Sequence, residues 1–399
     1  MNRSLEKLNQ IAHKEKKLIM GMMSGTSQDG VDLALCRVTG SGLQTDVQQL
    51  AFKTFAYSDT VKDDLAQVSY KKITSLEKIT LLNTLLGEFY AQCTFDLLEN
   101  TGFSADDIDL IASHGQTVHH APEGSIGSMK INATMQIGDG DLLARKTDII
   151  TLSDFRQKDI AAGGEGAPLS GYAESLLFTH PKYNRLLINI GGISNGTFLP
   201  KKGSDSETIS TDFGPGNTLI DAAVRRYYDG FQYEYDKDGA IASGGEVDQQ
   251  LLKCLLEHPF LRIIEFPKST GQEAFNLKWV EECVERIGSE ITAENLIATL
   301  TQFTVESIAQ GITHIREERK FTVDQLFVSG GGVHNKTLLQ KLDNRLDTIS
   351  VTTSEEIGAD PNAKEALLFA VLANETMSGQ GFRGADGRPF TMGKISLPI

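Results

Sequence analysis

Hydrophobic residues recur along this chain with two different periods, and each period predicts one type of secondary structure. Short runs of strand-forming residues predict strands at 18–20, 31–36, 48–56, 108–113, 149–153, 186–190 and 325–328. Apolar residues at helical spacing predict helices over 74–102, 141–146 and 218–228, and others that begin near 292, 335 and 360. Strands that alternate with helices in this way are typical of an α/β protein.

The glycine-rich stretch 24–30 lies between the first two predicted strands, so we expect it to form the tip of a β-hairpin. Backbone N–H groups at Gly25 and Gly30 are not shielded by side chains, which makes an anion-binding concavity suited to phosphate. Three hydroxyls add further polar groups, those of Ser24, Thr26 and Ser27. Asp29 and Asp32 lie beside the tip and can hold Mg²⁺ through water. The alternative is an ordinary Gly/Ser-rich turn.

A second glycine turn follows the predicted strand at 186–190, roughly halfway along the chain. We interpret this echo of the first hairpin as a weak internal duplication, with a second unit that begins near Arg185. Residues 192–196 also match the G-x-S-x-G pattern of a serine nucleophile, which requires a helix directly after the serine. Because strand-forming residues follow Ser194, a serine hydrolase is disfavoured.

Asp212 is the candidate catalytic carboxylate. It precedes Gly214-Pro215-Gly216, which is expected to form a tight loop, and Asn217, a suitable N-cap for the helix predicted at 218–228. A carboxylate near a helix N-terminus is expected to stay ionised at neutral pH, and a general base must be ionised. The alternative is an aspartate that only braces its own loop.

Other small or polar stretches follow predicted strands. Glycines at 330–332 permit a flat ring to lie against the backbone. Arg156 and Lys158 precede a loop of small residues, 161–168, that a ligand can approach closely; a flexible connection between domains is the alternative. The histidines within 114–120 are expected in a surface loop rather than in a zinc site.

Composition restricts the partners and the location. The chain has 399 residues, enough for two domains, and its net charge of −15 argues against nucleic acid or an anionic membrane as the main partner. No apolar run approaches the roughly 20 residues of a membrane helix. The polar segment 1–17 lacks the apolar core of a signal peptide, and the four cysteines are scattered, as in reduced cytosolic proteins. We therefore expect a cytoplasmic protein.

The ordered set of motifs resembles the superfamily of actin, Hsp70 and the sugar kinases, and more closely the anhydro-N-acetylmuramic acid kinase family. The matching stretches are MSGTSQDGVD at 23–32, SHGQT at 113–117, QIGD at 136–139, DFR at 154–156, AAGG and GAP within 161–168, NIGGI at 189–193, Asp212 with GPGN at 214–217, KSTG at 268–271 and GGG at 330–332. Phe213 is a departure, because many members have Thr at that place.

The resemblance implies an α/β fold with two ribonuclease-H-like domains of the actin/hexokinase superfamily and an ATP and sugar cleft between them. The implied division is an N-terminal extension at 1–16, a first domain at 17–184 and a second domain at 185–399. In an alternative arrangement, the last helix packs back on the first domain.

The resemblance also implies an ATP- and Mg²⁺-dependent phosphotransferase with an alcohol acceptor. It would open 1,6-anhydro-N-acetylmuramic acid with water and phosphorylate O6, giving N-acetylmuramic acid 6-phosphate for peptidoglycan recycling. The expected partner is this small sugar, and a homodimer is compatible with the sequence. Two alternatives stay open: a levoglucosan-type anhydrosugar kinase, and an actin- or Hsp70-like ATPase without a sugar substrate.

The implied roles can be assigned to positions of this chain. Asp212 would deprotonate the attacking water, Arg156 would bind the carboxylate of the sugar, and Glu365 would contact the sugar. The implied nucleotide-binding residues are Gly25, Thr26, Ser27, Gln28, Asp29, Gly30, Val31, Asp32, Gly191, Gly192, Gly330, Gly331 and Gly332. The direct metal ligands are left open.

Overall fold

A computed structural model describes residues 2–25, 28–71, 73–228, 233–288, 290–358, 360–379, 382–384 and 387–398. The chain forms two compact units. The first comprises Met1–Leu177 together with Glu365–Ile399, and the second comprises Phe178–Lys364. The second unit is therefore inserted, in sequence, between two parts of the first.

The regular elements are distributed over the whole chain. The strands are β1 (Lys16–Ser24), β2 (Gly30–Thr39), β3 (Asp46–Ala56), β4 (Leu110–Ile126), β5 (Met129–Ile137), β6 (Thr151–Ser153), β7 (Arg185–Ile190), β8 (Ile193–Leu199), β9 (Ile209–Pro215), β10 (Gln325–Ser329), β11 (Val351–Thr353), β12 (Phe382–Arg383), β13 (Pro389–Phe390) and β14 (Lys394–Ser396). The helices are α1 (Arg3–His13), α2 (Asp59–Val68), α3 (Leu76–Leu98), α4 (Gly140–Thr147), α5 (Phe155–Ala161), α6 (Ser170–Phe178), α7 (Thr218–Tyr227), α8 (Ala240–Gly244), α9 (Gln249–Leu255), α10 (Leu277–Ile287), α11 (Ala293–Arg319), α12 (Lys336–Arg345) and α13 (Lys364–Ser378).

The first unit contains a seven-stranded sheet in the order β14-β6-β4-β1-β2-β3, with β5 paired to β4. β1, β2 and β3 form an antiparallel meander, whereas β4 runs parallel to β1 and β6 runs parallel to β4. This is the strand order of a ribonuclease-H-like domain, so the carboxyl ends of β1, β4 and β6 lie at one edge of the sheet. Ligands in open α/β sheets bind at that edge.

The second unit repeats the same topology with fewer strands. Its five-stranded sheet has the order β11-β10-β7-β8-β9. β7, β8 and β9 form the antiparallel meander, and β10 and β11 continue parallel to β7. The shared topology confirms the internal duplication and the fold class predicted for both halves.

One long helix supplies much of the core in each unit. The hydroxyl of Ser75 caps α3, which buries Leu82, Leu86 and Tyr90 in the core of the first unit. The hydroxyl of Thr292 caps α11, the longest helix of the second unit's core. No helix in the described part of the chain combines the length and apolar character needed to cross a membrane.

Phe213 shows why its departure from the family pattern is tolerated. Its ring is fully buried and lies between β8 and α11. A Cβ at Gly196 would lie 2.6 Å from the Phe213 ring, and one at Gly311 would lie 2.3 Å from it. The two glycines therefore make room for the aromatic ring, and Phe213 belongs to the core.

The division into units differs from the predicted one at its boundary, which follows Leu177 rather than residue 184. The segment from Glu365 belongs to the first unit, which agrees with the alternative that the last helix packs on the first domain. The segment predicted as an N-terminal extension contains α1, which is part of the first unit, because Ile11 is buried and Lys14 makes an ion pair with Asp109 at 2.8 Å.

Three element boundaries also differ from the predictions. β4 does not end at residue 113 but continues through the histidine-rich stretch to Ile126, because β5 pairs with its outer half. α3 ends at Leu98, four residues before Gly102. Gly214 and Pro215 belong to β9 rather than to a loop.

Candidate active site

β1 and β2 form the predicted antiparallel hairpin, and its turn with the start of β2 (residues 25–32) is called the glycine hairpin. Two contacts hold its tip. The side-chain amide of Gln116 donates to the carbonyl oxygen of Gly25 at 2.8 Å, and the N–H of Tyr57 donates to the carbonyl oxygen of Asp29 at 2.9 Å. The side chain of Asp29 is exposed. Two of the predicted nucleotide-binding residues, Thr26 and Ser27, lie outside the described residues.

The remaining residues of the glycine hairpin have different surroundings. Gln28 adopts a positive φ of 59°, and Gly30 has no space for a side chain, since a Cβ there would lie 2.3 Å from a backbone oxygen of β3. Val31 is buried in the core, so only its backbone is available to a ligand. Asp32 accepts a hydrogen bond from the hydroxyl of Thr54.

The hydroxyl of Ser24 does not contribute to an anion site, contrary to the prediction. It is buried and lies 2.8 Å from the hydroxyls of both Tyr57 and Tyr90. Burial raises the pKa of Tyr57 well above its usual value and that of Tyr90 to about 12, so both phenols stay protonated at neutral pH. This cluster of hydroxyls holds the base of the glycine hairpin.

Arg156 lies on α5 and is oriented by two hydrogen bonds. Its Nε donates to Nε2 of His114 at 2.7 Å, and its Nη1 donates to the carbonyl oxygen of Gly166 at 2.8 Å. Nδ1 of His114 lies 2.6 Å from the carbonyl oxygen of Gly115, so Nδ1 carries the proton and Nε2 accepts. Burial and the charge of Arg156 lower the pKa of His114 to about 3, which keeps the ring neutral. His114 is thus a buried partner of Arg156 and not a residue of a surface loop.

Arg156 is a desolvated cation whose hydrogen bonds, in the described residues, both go to neutral groups. Burial lowers its pKa, while the charge of Glu365 is among those that raise it. Glu365 is the second residue of α13, which packs so closely on β1 that a Cβ at Gly21 would lie 1.9 Å from the carbonyl oxygen of Ala366. The structure therefore places the two predicted substrate-binding residues in one electrostatic environment.

Asp212 lies on β9, at the edge of the second sheet. Its Oδ2 accepts hydrogen bonds from the N–H of Thr270 at 2.8 Å and the hydroxyl of Ser269 at 3.2 Å. Burial raises the pKa of Asp212 to about 6, although these two donors and the charge of Lys268 act in the opposite direction. A carboxylate with such a pKa can both lose and accept a proton near neutral pH, as a general base must.

The predicted reason for the ionisation of Asp212 was wrong. Its hydrogen-bond donors belong to the segment 268–270 and not to the N-terminus of α7. Asn217 does not cap α7 with its side chain either, since its Nδ2 donates to the carbonyl oxygen of Ile190 at 3.3 Å. The KSTG motif, not the GPGN motif, is the local signal for the environment of Asp212.

The second glycine turn connects β7 to β8 and is bound to the start of α7. The N–H of Gly216 donates to the carbonyl oxygen of Gly192, and the N–H of Asn217 donates to that of Gly191, both at 2.8 Å. The hydroxyl of Thr218 also donates to the carbonyl oxygen of Gly192 at 2.8 Å. The carbonyl groups of Gly191 and Gly192 are therefore occupied within the unit.

Ser194 cannot act as the nucleophile of a serine hydrolase. It lies inside β8 rather than before a helix, and it is fully buried. Its hydroxyl lies 3.2 Å from the carbonyl oxygens of both Gly214 and Pro215. The hydrolase pattern at 192–196 is thus a coincidence of a glycine-rich hairpin.

Of the glycines at 330–332, Gly331 lines a cavity of about 530 Å³ in the second unit. A Cβ at Gly330 would lie 2.5 Å from Oδ1 of Asn189, and one at Gly332 would lie 2.5 Å from the side chain of Ile190. A Cβ at Gly331 would meet only Nδ2 of Asn217, at 3.7 Å. Gly331 is therefore the member that faces the cavity, while Gly330 and Gly332 allow close packing on β7.

Sequence patterns did not identify the polar residues of this cavity. Its lining includes Asn217, Asp221, Tyr235, Asp236, Gly331 and His334. Burial raises the pKa of Asp221 to about 6. Asp236 accepts from the N–H groups of Ile241 and Ala242 and so fixes the start of α8. A signal was available in the short DKDG stretch at 236–239, which resembles part of a calcium loop.

Comparison with known sequences identifies the family of the chain. A sequence model of the anhydro-N-acetylmuramic acid kinase family matches residues 17–381. A protein of that name from Pseudoalteromonas atlantica is 45% identical, with 100% of both chains covered. Another of that name, from Caldanaerobacter subterraneus subsp. tengcongensis, is 42% identical over 98% of this chain and 100% of its own. The chain belongs to the anhydro-N-acetylmuramic acid kinase family.

Comparison with solved structures gives more distant likenesses. The activator of the 2-hydroxyisocaproyl-CoA dehydratase from Clostridium difficile, with bound ADPNP, has a TM-score of 0.43 and 13% identity. The match covers 90% of this chain and 95% of that chain. At this level of likeness, the strand order within each unit is what defines the fold.

Proposed function

We propose that this chain uses ATP to convert 1,6-anhydro-N-acetylmuramic acid into N-acetylmuramic acid 6-phosphate, and that water opens the anhydro bridge in the same reaction. The observation that carries the proposal is the environment of Asp212. Its carboxylate is half-buried and held on one oxygen, and its pKa is raised to about 6. The family and the names of the relatives supply the substrate class. The product would enter peptidoglycan recycling.

The proposed reaction needs one proton acceptor, and Asp212 is suited to that role. Asp212 takes a proton from water as the water oxygen bonds to the anomeric carbon. The bond between the anomeric carbon and O6 breaks, and O6 keeps its electron pair. O6 then bonds to the γ-phosphorus of ATP, and the bond from that phosphorus to the ADP oxygen breaks. Positioning of the reactants supplies much of the rate in such transfers.

Each unit contains a glycine-rich element with the chemistry of a nucleotide site. Phosphate oxygens would accept from backbone N–H groups of the glycine hairpin, whose tip is held by Gln116 and Tyr57. Adenosine would occupy the cavity beside Gly331, because about 530 Å³ is within the usual range of small-molecule sites. An absent side chain at Gly331 lets a flat ring approach the backbone.

We assign the magnesium ion to a position beside Asp29, where water molecules would connect the ion to the carboxylate. No group of three or more His, Cys, Asp or Glu residues that could hold a metal was found among the described residues. A Mg²⁺ ion carried by ATP fits this arrangement, because it needs one or two carboxylates and keeps several waters. When bound, it would neutralise charge on the phosphates. The exposed carboxylate of Asp29 can orient those waters.

The sugar is assigned to Arg156 and Glu365. The guanidinium of Arg156 is half-buried, and its hydrogen bonds in the described residues go to neutral groups. An incoming carboxylate could therefore add a charge-assisted hydrogen bond to this cation, next to the charges of Glu365 and Asp159. This favours an acidic sugar over levoglucosan, which has no carboxylate. We place the reaction in the cytoplasm, since all four cysteines are buried thiols, typical of a reducing compartment.

The proposal is tested by ATP turnover with and without 1,6-anhydro-N-acetylmuramic acid, followed by mass analysis of the sugar product. We expect ADP formation to depend on the sugar and the product to gain both water and a phosphoryl group. In ¹⁸O-labelled water, the label should appear on the anomeric hydroxyl and not in the phosphate. Sugar-independent ATP hydrolysis, or label in the phosphate, would contradict the proposed reaction.

Asp29→Asn is expected to raise the KM for Mg-ATP, because the amide cannot attract the waters of a bound cation as a carboxylate does. The effect should be several-fold, since the residue is exposed and an interaction at an exposed site is worth roughly 1 kcal/mol. Steady-state kinetics at varied Mg-ATP would measure it. Asp63→Asn, an exposed position on α2, is the matched control. An unchanged KM in Asp29→Asn would remove Asp29 from the nucleotide site.

A further inference from the structure

The segment 268–270 runs along the edge strand β9 next to Asp212. The N–H of Asp212 donates to the carbonyl oxygen of Lys268 at 3.0 Å. The hydroxyl of Thr211 accepts from the N–H of Lys268 at 3.0 Å and donates to its carbonyl oxygen at 3.1 Å. Three hydrogen bonds therefore connect the backbone of Lys268 to the two residues at the site, Thr211 and Asp212.

The side chain of Lys268 anchors the segment on its other side. Its Nζ donates to the carbonyl oxygens of Ile263 at 2.9 Å and Phe260 at 3.2 Å. The same nitrogen lies 4.4 Å from the ring centroid of Phe260 and 5.1 Å from that of Phe266. Because the cation is held by two carbonyls and two rings, the residues that follow it have a defined position.

The next two residues both act on one oxygen of Asp212. Thr270 donates its N–H and Ser269 its hydroxyl to Oδ2, and no hydrogen bond reaches Oδ1 in the part of the chain that the structure describes. A carboxylate is planar, so fixing one oxygen with two donors also fixes the direction of the other.

We propose that Ser269 is a positioning residue: with the N–H of Thr270 it holds Oδ2 of Asp212, so that Oδ1 is the oxygen that accepts the proton. This inference rests on the proposed role of Asp212 as the general base. Thr270 contributes through its backbone, whereas Ser269 contributes through a side chain that can be replaced. Ser269 is exposed, so its substitution does not disturb the core.

The hydroxyl of Ser269 also affects the pKa of the proposed base, Asp212. It stabilises the ionised form of Asp212, against the burial that favours the neutral form. Removal of the hydroxyl should therefore move the acid limb of the pH–rate profile to higher pH. A residue with a purely structural role would not move that limb.

The test compares Ser269→Ala with Ser269→Thr, which keeps a hydroxyl, and with Ser206→Ala, an exposed serine in the loop before β9. Asp212→Asn is measured in parallel. Each variant is assayed for ATP- and sugar-dependent turnover across pH, with kcat and KM determined separately. We expect Ser269→Ala to lower kcat on the order of ten-fold, the effect of one hydrogen bond to a charged group. The acid limb of its pH–rate profile should move to higher pH. Ser269→Thr should restore both the kcat and the position of the acid limb, and Ser206→Ala should match the wild type.

Two other outcomes separate this inference from the proposed function. If Asp212→Asn is inactive but Ser269→Ala keeps the wild-type kcat and acid limb, the positioning role is wrong and the general base stands. A lower kcat with an unmoved acid limb, or one that Ser269→Thr does not restore, would also overturn the positioning role. If Asp212→Asn itself is fully active, the general-base role of Asp212 is wrong, and the positioning role of Ser269 is wrong with it.

Discussion

Asp212→Asn is expected to lower kcat by about 10²–10⁴-fold, the usual contribution of a positioned general base. The amide keeps the size of the side chain and can still accept from Thr270 and Ser269, but it cannot take a proton. ATP and the sugar should still bind, because their proposed contacts are made by other residues. Turnover of ATP with 1,6-anhydro-N-acetylmuramic acid, together with direct binding of each substrate, would measure the effect.

The pH dependence of turnover tests the role of Asp212 independently of the substitution. Asp212 has a pKa of about 6, raised by burial, and it must be ionised to act as a base. Activity should therefore be lost as pH falls through about 6 and should level off above it. Asp205→Asn, an exposed position before β9, serves as the control and should keep the wild-type profile. Near wild-type turnover in Asp212→Asn would exclude this residue as the base.

The hairpins of this protein could be predicted from the sequence because their signals are local. Alternating apolar residues on either side of a glycine turn specify an antiparallel pair with little help from the rest of the chain. The pairs β1–β2 and β7–β8 occur where the pattern placed them. The same local pattern occurs in both halves, so the sequence alone predicts the duplication that the strand order shows.

The extent of β4 could not be predicted, since its outer half has no apolar signal. The stretch after residue 113 is rich in histidine and other polar residues, which is typical of a loop. It forms a strand because β5 pairs with it from Gln116 to Ile126. Pairing with a neighbour outweighs the intrinsic preference of these residues, as is common in sheets.

The hydrogen-bond partners of the site residues could not be predicted either, because they lie far away in the sequence. The hydroxyl of Ser24 was assigned to phosphate, yet its partners Tyr57 and Tyr90 are 33 and 66 residues away in sequence. The donors to Asp212 come from 57 and 58 residues away. A motif can identify a candidate residue. The protonation of that residue and the hydrogen-bonding positions that remain open to a ligand depend on partners that only the fold brings together.

Arg156→Ala is expected to weaken the use of 1,6-anhydro-N-acetylmuramic acid by about 2 kcal/mol, roughly 30-fold in kcat/KM, the effect of losing a charge-assisted hydrogen bond. The matched substrate is 1,6-anhydro-N-acetylglucosamine, which lacks the lactyl carboxylate. Its lower kcat/KM with the wild-type protein should change far less on substitution. Arg156→Lys should recover only part of the loss, because an ammonium group cannot form two parallel hydrogen bonds with a carboxylate.

The ratio between the two substrates is the decisive measurement, because Arg156 also has structural contacts. Its guanidinium donates to His114 and to the backbone of Gly166, so the alanine variant leaves both acceptors without their partner. Disorder caused by that loss would lower kcat/KM for both sugars alike, whereas loss of carboxylate recognition lowers only that of the acidic sugar. Arg145→Ala, an exposed arginine on α4, controls for a general change in positive charge and should leave the ratio unchanged. Equal losses on the two sugars would assign Arg156 to the structure of the first unit, and the substrate carboxylate would then require a different partner.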